Sequence, residues 1–286
     1  MDQTVEHESM DLSVTADFIQ HLKDHDDSSF SLLYDSYGEK IYNLAYRMTG
    51  DIEDATDITQ ETFFQVFRHI ETFREESHLF TWIFTIARNE CLKLLAGRQR
   101  TSFSSFEEMI QSARQVKSPD GLSETDRQYL IDQIKEGCLT GLIRCLSIDQ
   151  RTAFILSVLL KIEIEDVAAI MNRSEGAVRV LVHRARTNIK MFLCKNCSQY
   201  NPANHCHCED LIGFSLKKDW ISIKDNSETQ NSPPNTRQLE KEISEFALTM
   251  DYYSRLSLKT APKNSQQIVT EIMKSKDWMI FHKNGV

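Results

Sequence analysis

The sequence predicts an all-α protein: two small helical domains joined by a flexible linker, the second with a helix-turn-helix, and a helical C-terminal extension. Apolar residues recur at three- and four-residue spacing rather than in alternation, which is the helical period. Five Pro and nine Gly are few for 286 residues, so breakers are scarce. That length also exceeds one ordinary domain.

Residues 1–15 are acidic and weakly patterned, and are expected to be mobile. The first domain is expected over 16–97. Its best-defined helix runs from Phe30 to Met48, with Leu33, Tyr37, Ile41, Leu44, Ala45 and Met48 on one face. Thr49-Gly50 ends it. A second helix from Ile52 to Ile70 has the stripe Ala55, Ile58, Thr62, Phe63, Val66 and Phe67. A connection over Glu71 to Ser77 leads to a third helix, Leu79 to Leu95.

Residues 98–125 are rich in Ser, Gln and charge and include Pro119-Asp120-Gly121, so they read as a linker with one loose helical turn. The second domain is expected over 126–193. A Cys-rich motif follows at 194–208, and an extension over 209–286 is expected to be regulatory. In that extension a polar break at 222–237 precedes a helical segment near 238–256 and an amphipathic one near 266–281.

The segment Glu165 to Arg186 carries the clearest chemistry. Val167, Ala168, Ile170 and Met171 give a short helix an apolar face. Asn172 stands where the chain must turn sharply, and Asn tolerates the left-handed conformation. Ser174 can cap the next helix, and Glu175 suits its positive end. Val178 and Val182 hold the second helix on the first, while Arg179, His183, Arg184, Arg186 and Lys190 project outward. That is the pattern of a helix whose exposed face enters a DNA groove.

Cys91, Cys138 and Cys145 are scattered and read as buried thiols. Cys194, Cys197, Cys206 and Cys208 cluster, which matches the ligand count of a structural zinc site, with His205 and His207 as substitutes. A structural or sensory zinc is the first expectation, a redox switch the second, and unliganded thiols the third; no cofactor is required for the expected activity. The net charge of −9 is unusual for a protein that binds DNA by itself, because Lys and Arg supply most phosphate affinity. No apolar run is long enough to span a bilayer, and the acidic start is unlike a secretion signal, so a cytoplasmic location without membrane insertion is expected.

Two blocks together resemble a known family. The first holds Asp54-Ala55, Asp57, Thr59-Gln60-Glu61, Phe63, Phe73-Arg74, Thr81-Trp82 and Ile86-Ala87-Arg88-Asn89. The second holds Gln150-Arg151, Val167-Ala168, Ile170, Gly176, Val178 and His183-Arg184-Ala185-Arg186. Over about residues 16–192 the chain is similar to bacterial sigma-70 transcription initiation factors of the extracytoplasmic-function (ECF) type, some of which carry a Cys-rich C-terminal extension. The resemblance implies a non-enzymatic factor that binds core RNA polymerase through the β′ clamp coiled coil and the β flap, and promoter DNA, with an anti-sigma factor as a further partner. It implies polymerase contacts at Asp54, Asp57, Gln60 and Glu61. It implies −10 element contacts at Phe73, Arg74, Ser77, His78, Arg88, Asn89 and Lys93. It implies −35 element contacts at Ser174, Glu175, Ala177, Arg179, Val180, His183, Arg184 and Arg186.

This chain departs from the pattern in two places. Glu75-Glu76 makes the −10 loop more acidic than the common Gly-containing version. Val180 and Leu181 stand where polar or basic residues are usual, which predicts weaker −35 discrimination unless they pack internally. Two other function classes stay open. A free-standing helix-turn-helix regulator would bind palindromic operators as a dimer. A thiol oxidoreductase would use Cys194 and Cys197, although such a motif normally sits in an α/β context.

Overall fold

The computed structural model describes residues 15–74, 77–98 and 101–223. The N-terminal segment 1–14, Glu75-Glu76, and the expected helices of the 224–286 extension lie outside the described residues. Among the described residues there are ten α-helices and no β-strand beyond one isolated bridge. None of these helices is long and apolar enough to cross a membrane. The chain divides into two compact units between Ala96 and Gly97.

The first unit is built from α1 (Ala16–Lys23), α2 (Asp27–Thr49), α3 (Ile52–His69) and α4 (Leu79–Leu95). Side-chain caps set the starts of the first three. Thr15 Oγ1 accepts from the Phe18 amide, Asp26 Oδ2 from that of Ser29, and Asp51 Oδ1 from those of Glu53 and Asp54. These acceptors serve amide groups that have no partner inside the helix. Hydrogen bonds from Ser28 and Ser29 hold the Asp26 carboxyl down at about 2. Gly50 ends α2 with φ 77°, a left-handed value that glycine adopts without steric cost, and its amide donates to the Tyr46 carbonyl.

The core of this unit joins Phe30, Leu33, Ile41, Leu44 and Met48 of α2 to Ala55, Phe63 and Val66 of α3 and to Ile83, Phe84, Ala87 and Cys91 of α4. Burial of each large apolar side chain stabilises the unit by roughly 1.5–3 kcal/mol. Tyr34–Phe63 and Phe30–Phe67 ring pairs, at 4.8 and 4.9 Å, fix how α3 lies on α2.

The second unit contains α5 (Phe103–Ala113), α6 (Glu124–Cys145), α7 (Ile148–Phe154), α8 (Ile164–Met171), α9 (Glu175–Asn196) and α10 (Ile212–Lys217). The end of α7 passes into a π turn over Ile155–Leu159. Leu139, Leu142 and Ile143 of α6 and Phe154, Ile155 and Leu156 are buried, and the seam Val178, Ala185, Ile189 of α9 closes the core with Val167 and Ile170 of α8. Asn172 takes the left-handed conformation expected of it, φ 50° and ψ 55°. The Arg173 amide donates to the Ala168 carbonyl across this turn, and Ser174 Oγ accepts from the Ala177 amide to start α9.

The expected linker differs from its reading. Residues 103–113 form a three-turn helix rather than one loose turn, begun by a Ser102–Ser105 capping box. Phe106, Ile110 and Ala113 are buried on one face. Phe106 lies tilted against Phe192, ring centroids 5.7 Å apart, and fills the space over Gly141, where a Cβ would collide with its ring. The stripe has only three members among Ser, Gln and Glu, so composition concealed it.

Asn172→Val should lower the unfolding free energy by about 1–2 kcal/mol, because a β-branched residue resists the left-handed region, whereas Asn172→Gly should be nearly neutral. Urea unfolding of both variants checks this. Two equally mild effects would mean that the turn does not need that backbone state.

Candidate nucleic-acid interface

One face of α9 is fixed by packing, and the other is thereby turned to solvent. Val178, Val182, Ala185 and Ile189 are buried at helical spacing. Ser174, Glu175, Arg179, Val180, His183, Arg184 and Arg186 are exposed, and Ala177 is half-buried. The reading that Val180 packs internally does not hold, since it is 47% exposed; Leu181 is half-buried. Arg179 pairs with Glu175 one turn earlier at 2.9 Å. An exposed pair of this kind is weak, so Arg179 can exchange it for a phosphate. The helix offers cations to a backbone, a hydroxyl and an amide end at its N-terminus, and an apolar methyl surface at Val180.

The turn itself is tied down from α7. Arg173 pairs with Asp149 at 3.2 Å. Sequence reasoning passed over this pair, which spans 24 positions and has no local signal.

In the first unit, Asp57 on α3 is exposed and Asp54, Gln60 and Glu61 are half-buried. They share the side of α3 opposite its buried stripe Ala55, Ile58, Thr62, Phe63 and Val66. The loop after α3 exposes Arg74, Ser77 and His78. Phe73 corrects its assignment as a base contact: it is 4% exposed and its ring lies 5.4 Å from Trp82. Phe73 therefore props the loop from beneath, and the apolar gain of burying an aromatic ring outweighs leaving it on a polar rim. Phe84 is buried and Trp82 half-buried.

Along α4, Arg88 is half-buried and donates to Asn89 Oδ1 at 3.4 Å, with Asn89 exposed. Lys93 Nζ sits 2.6 Å from Glu90 Oε1, and this hydrogen bond raises the Lys93 pKa. A phosphate contacting Lys93 must therefore compete with Glu90.

The Cys-rich turn has a structural role that its spacing did not reveal. The α9 helix stops at Cys197, and a parallel bridge joins Cys197 to Cys206. The Asn204 side-chain amide donates to the Cys194 and Cys197 carbonyls at 2.9 and 3.0 Å. It thus serves last-turn carbonyls that would otherwise lack partners. Asn204 lay in view in the Asn-Pro-Ala-Asn run, whose residues favour turns.

The predicted set Cys194, Cys197, Cys206 and Cys208 does not assemble as one ligand group. Cys194 is hydrogen-bonded with Tyr200, and Cys138 of α6 lies in the electrostatic reach of Cys208, Cys197 and Cys206. Among the described residues no three His, Cys, Asp or Glu side chains are arranged to hold a metal ion. Burial pushes Cys206 up to about 11, Cys208 up to about 12, and Cys138 well above its ordinary value. Thiols held protonated in this way are poor nucleophiles.

The stability consequence has a definite sign. These are acids whose folded pKa exceeds the ordinary thiol value of 9.0. At pH below 9 both states are protonated and the full stability is present; above it the unfolded chain ionises first. The denaturation midpoint should fall between pH 9 and about 11–12. The double change Cys206→Ala, Cys208→Ala should flatten that fall, and an unchanged slope would contradict the burial of these thiols. Asn204→Ala should cost about 1 kcal/mol at pH 7, read by urea unfolding.

The family model described as "Sigma-70 region 2" matches residues 33–101, and that described as "Sigma-70, region 4" matches residues 136–189. The RNA polymerase sigma-H factor of Pseudomonas aeruginosa is 31% identical over 179 residues, covering 60% of this chain and 89% of that protein. The ECF RNA polymerase sigma factor SigW of Bacillus subtilis is 25% identical over 181 residues, covering 60% of this chain and 92% of its own. The solved structure of CnrH in complex with the cytosolic domain of CnrY aligns with a TM-score of 0.46 at 16% identity, covering 62% of this chain and 94% of that one.

Proposed function

Since the chain belongs to the sigma-70 family, in its ECF branch, it is a factor for promoter-specific transcription initiation, and we propose specific roles for its surfaces in that work. Sigma factors are initiation factors rather than enzymes; the polymerase makes the RNA. The polar side of α3, Asp54, Asp57, Gln60 and Glu61, meets the β′ clamp coiled coil of core polymerase. The loop residues Arg74, Ser77 and His78, with Arg88, Asn89 and Lys93, hold the −10 element as it opens. Unpaired bases are held by stacking and hydrogen bonds, and Arg and His planes supply both. The N-terminal half of α9 lies in the major groove of the −35 element, and its unit meets the β flap. An anti-sigma partner belongs to this reading on the strength of the family alone.

The observation that carries the −35 role is the exposed row Arg179, His183, Arg184 and Arg186 opposite a buried seam. Phosphate contacts fix position and register, and base edges fix sequence. Val180 offers only a methyl surface, suited to thymine methyls. The −35 contact on this account anchors more than it selects, and the −10 loop carries more of the selectivity. The free-standing operator-binding alternative gains no support from an acidic chain whose first unit has no such role in it.

Run-off transcription with purified core polymerase on genomic templates tests the reading. Discrete transcripts that need both the protein and the core are expected; failure to bind core polymerase would sink it. Arg184→Ala should weaken promoter binding about equally across sequences and lower the log-log salt slope by about 1. Filter binding of the holoenzyme at several salt concentrations measures this. A loss confined to one base sequence would instead make Arg184 a base reader.

A further inference from the structure

We infer that His25 is a positioning residue for the −10 loop: its ring, set in the corner between α1 and α2, grips the end of α3 and the short turn Ile70–Thr72 from which the loop departs. This inference rests on the −10 reading above.

The corner is closed by two backbone hydrogen bonds. The His25 amide donates to the Leu22 carbonyl and the Asp26 amide to the His21 carbonyl, both at 3.0 Å. A helix end closed in this way needs a left-handed residue at its first position outside the helix, and His25 supplies it with φ 56°. Glycine normally fills that position, because a Cβ is crowded there. Among the described residues three other non-glycine residues have positive φ: Asn172 and Asp219, of tolerant types, and Lys161, which is exposed. His25 differs from these in putting a half-buried ring to use.

The left-handed backbone aims that ring at α3. Its centroid lies 4.4 Å from that of Phe67 and 6.3 Å from that of Phe30, and the two phenyl rings are 4.9 Å apart. Rings from the corner, from α2 and from the last turn of α3 thus form one cluster, and such pairs attract beyond the area they bury. His25 Nε2 lies 3.8 Å from Glu71 Oε1, in the turn that follows α3. That is too long for a hydrogen bond but close enough for attraction when the imidazole is charged. Nδ1 is buried and has no hydrogen-bond partner among the described residues. An unpaired buried nitrogen costs stability, so the ring contacts and Glu71 are what hold the side chain here.

The consequence falls on the loop. Thr72 Oγ1 donates to the His69 carbonyl at 2.6 Å and the Phe73 amide to the Ile70 carbonyl at 3.0 Å, so the turn moves as one piece. Phe73 is buried against Trp82, and the next residue, Arg74, is exposed. His25 holds the turn from the α1 side, and Trp82 holds Phe73 from the α4 side. Between them they fix the direction in which the loop leaves. A pocket for unpaired bases has to be shaped before the base arrives, because unstacking is costly, and small misplacements of binding groups are felt strongly. His25 acts through the turn and not on a base.

Promoter melting by the holoenzyme tests this, read by 2-aminopurine fluorescence in the −10 element of a promoter found by run-off transcription. His25→Gly suits the left-handed backbone and removes only the ring. Its urea midpoint and its affinity for core polymerase should stay near the starting values, while melting falls about three- to tenfold. Glu71→Gln should lower melting about twofold. The double change should melt no worse than His25→Gly alone, because both act through one contact. His25→Phe keeps the ring and should restore melting to the Glu71→Gln level. Undiminished melting by His25→Gly overturns the positioning role and leaves the initiation reading intact. So does a loss matched by an equal loss of core binding or by a fall in the urea midpoint, additive losses in the double change, or a His25→Phe variant no better than His25→Gly. Absence of any promoter-dependent transcript overturns both.

Discussion

The continuity of α9 is the constraint on which the second unit depends. One helix of 22 residues has to satisfy three neighbours at once. Its N-terminal half packs on α8 through Val178 and Val182, which turns Arg179, His183, Arg184 and Arg186 outward. Its middle closes the core with Ala185 and Ile189. Its C-terminal half carries Phe192 and Lys195 for α5, and its last carbonyls are capped by Asn204. A rigid rod couples these sites: a rotation that improved one would spoil the others, because packed cores deform in steps rather than smoothly. The DNA face and the Cys-rich turn are opposite ends of one element.

The charge balance explains why such a protein should depend on a larger machine. A net charge of −9 repels the phosphate backbone at long range, and the few cations of α9 are partly spent on Glu175 and their own surroundings. On α4, Lys93 is likewise engaged with Glu90. Local cations can hold phosphates once the protein is placed, but they supply little of the free energy that would bring it there unaided. On the proposed reading, polymerase binding through the acidic side of α3 makes that placement, and the same carboxylates that hinder solitary DNA binding recruit the partner.

Much of this was legible in the residues, where short-range rules decide the outcome. Asn172 and Gly50 take the left-handed backbone that their side chains permit. The α4 helix of the first unit runs from Leu79 to Leu95 as its period required. The helix-turn-helix face followed from the spacing of Val178 and Val182. What escaped was decided by partners distant in sequence. The α5 helix gains its stability from Phe192 and Gly141, so its own polar composition suggested a linker. Phe73 was placed at the surface by its loop position, yet Trp82 offers it a buried site. The four clustered cysteines were read by spacing alone, which could not show that α9 ends between them, that Cys194 is hydrogen-bonded with Tyr200, or that the fold brings Cys138 of α6 within electrostatic reach of Cys197, Cys206 and Cys208.

The central claim is that one chain reads two separated promoter elements, and does so only on polymerase. A footprint of a linear promoter fragment, with the protein alone, with core polymerase alone and with both, tests it most directly. The account predicts no protection from the protein alone at physiological salt. It predicts two protected patches, centred near −35 and −10, that appear together when both are present, with unpaired thymines reactive in the second. A single palindromic footprint from the protein without polymerase would contradict it.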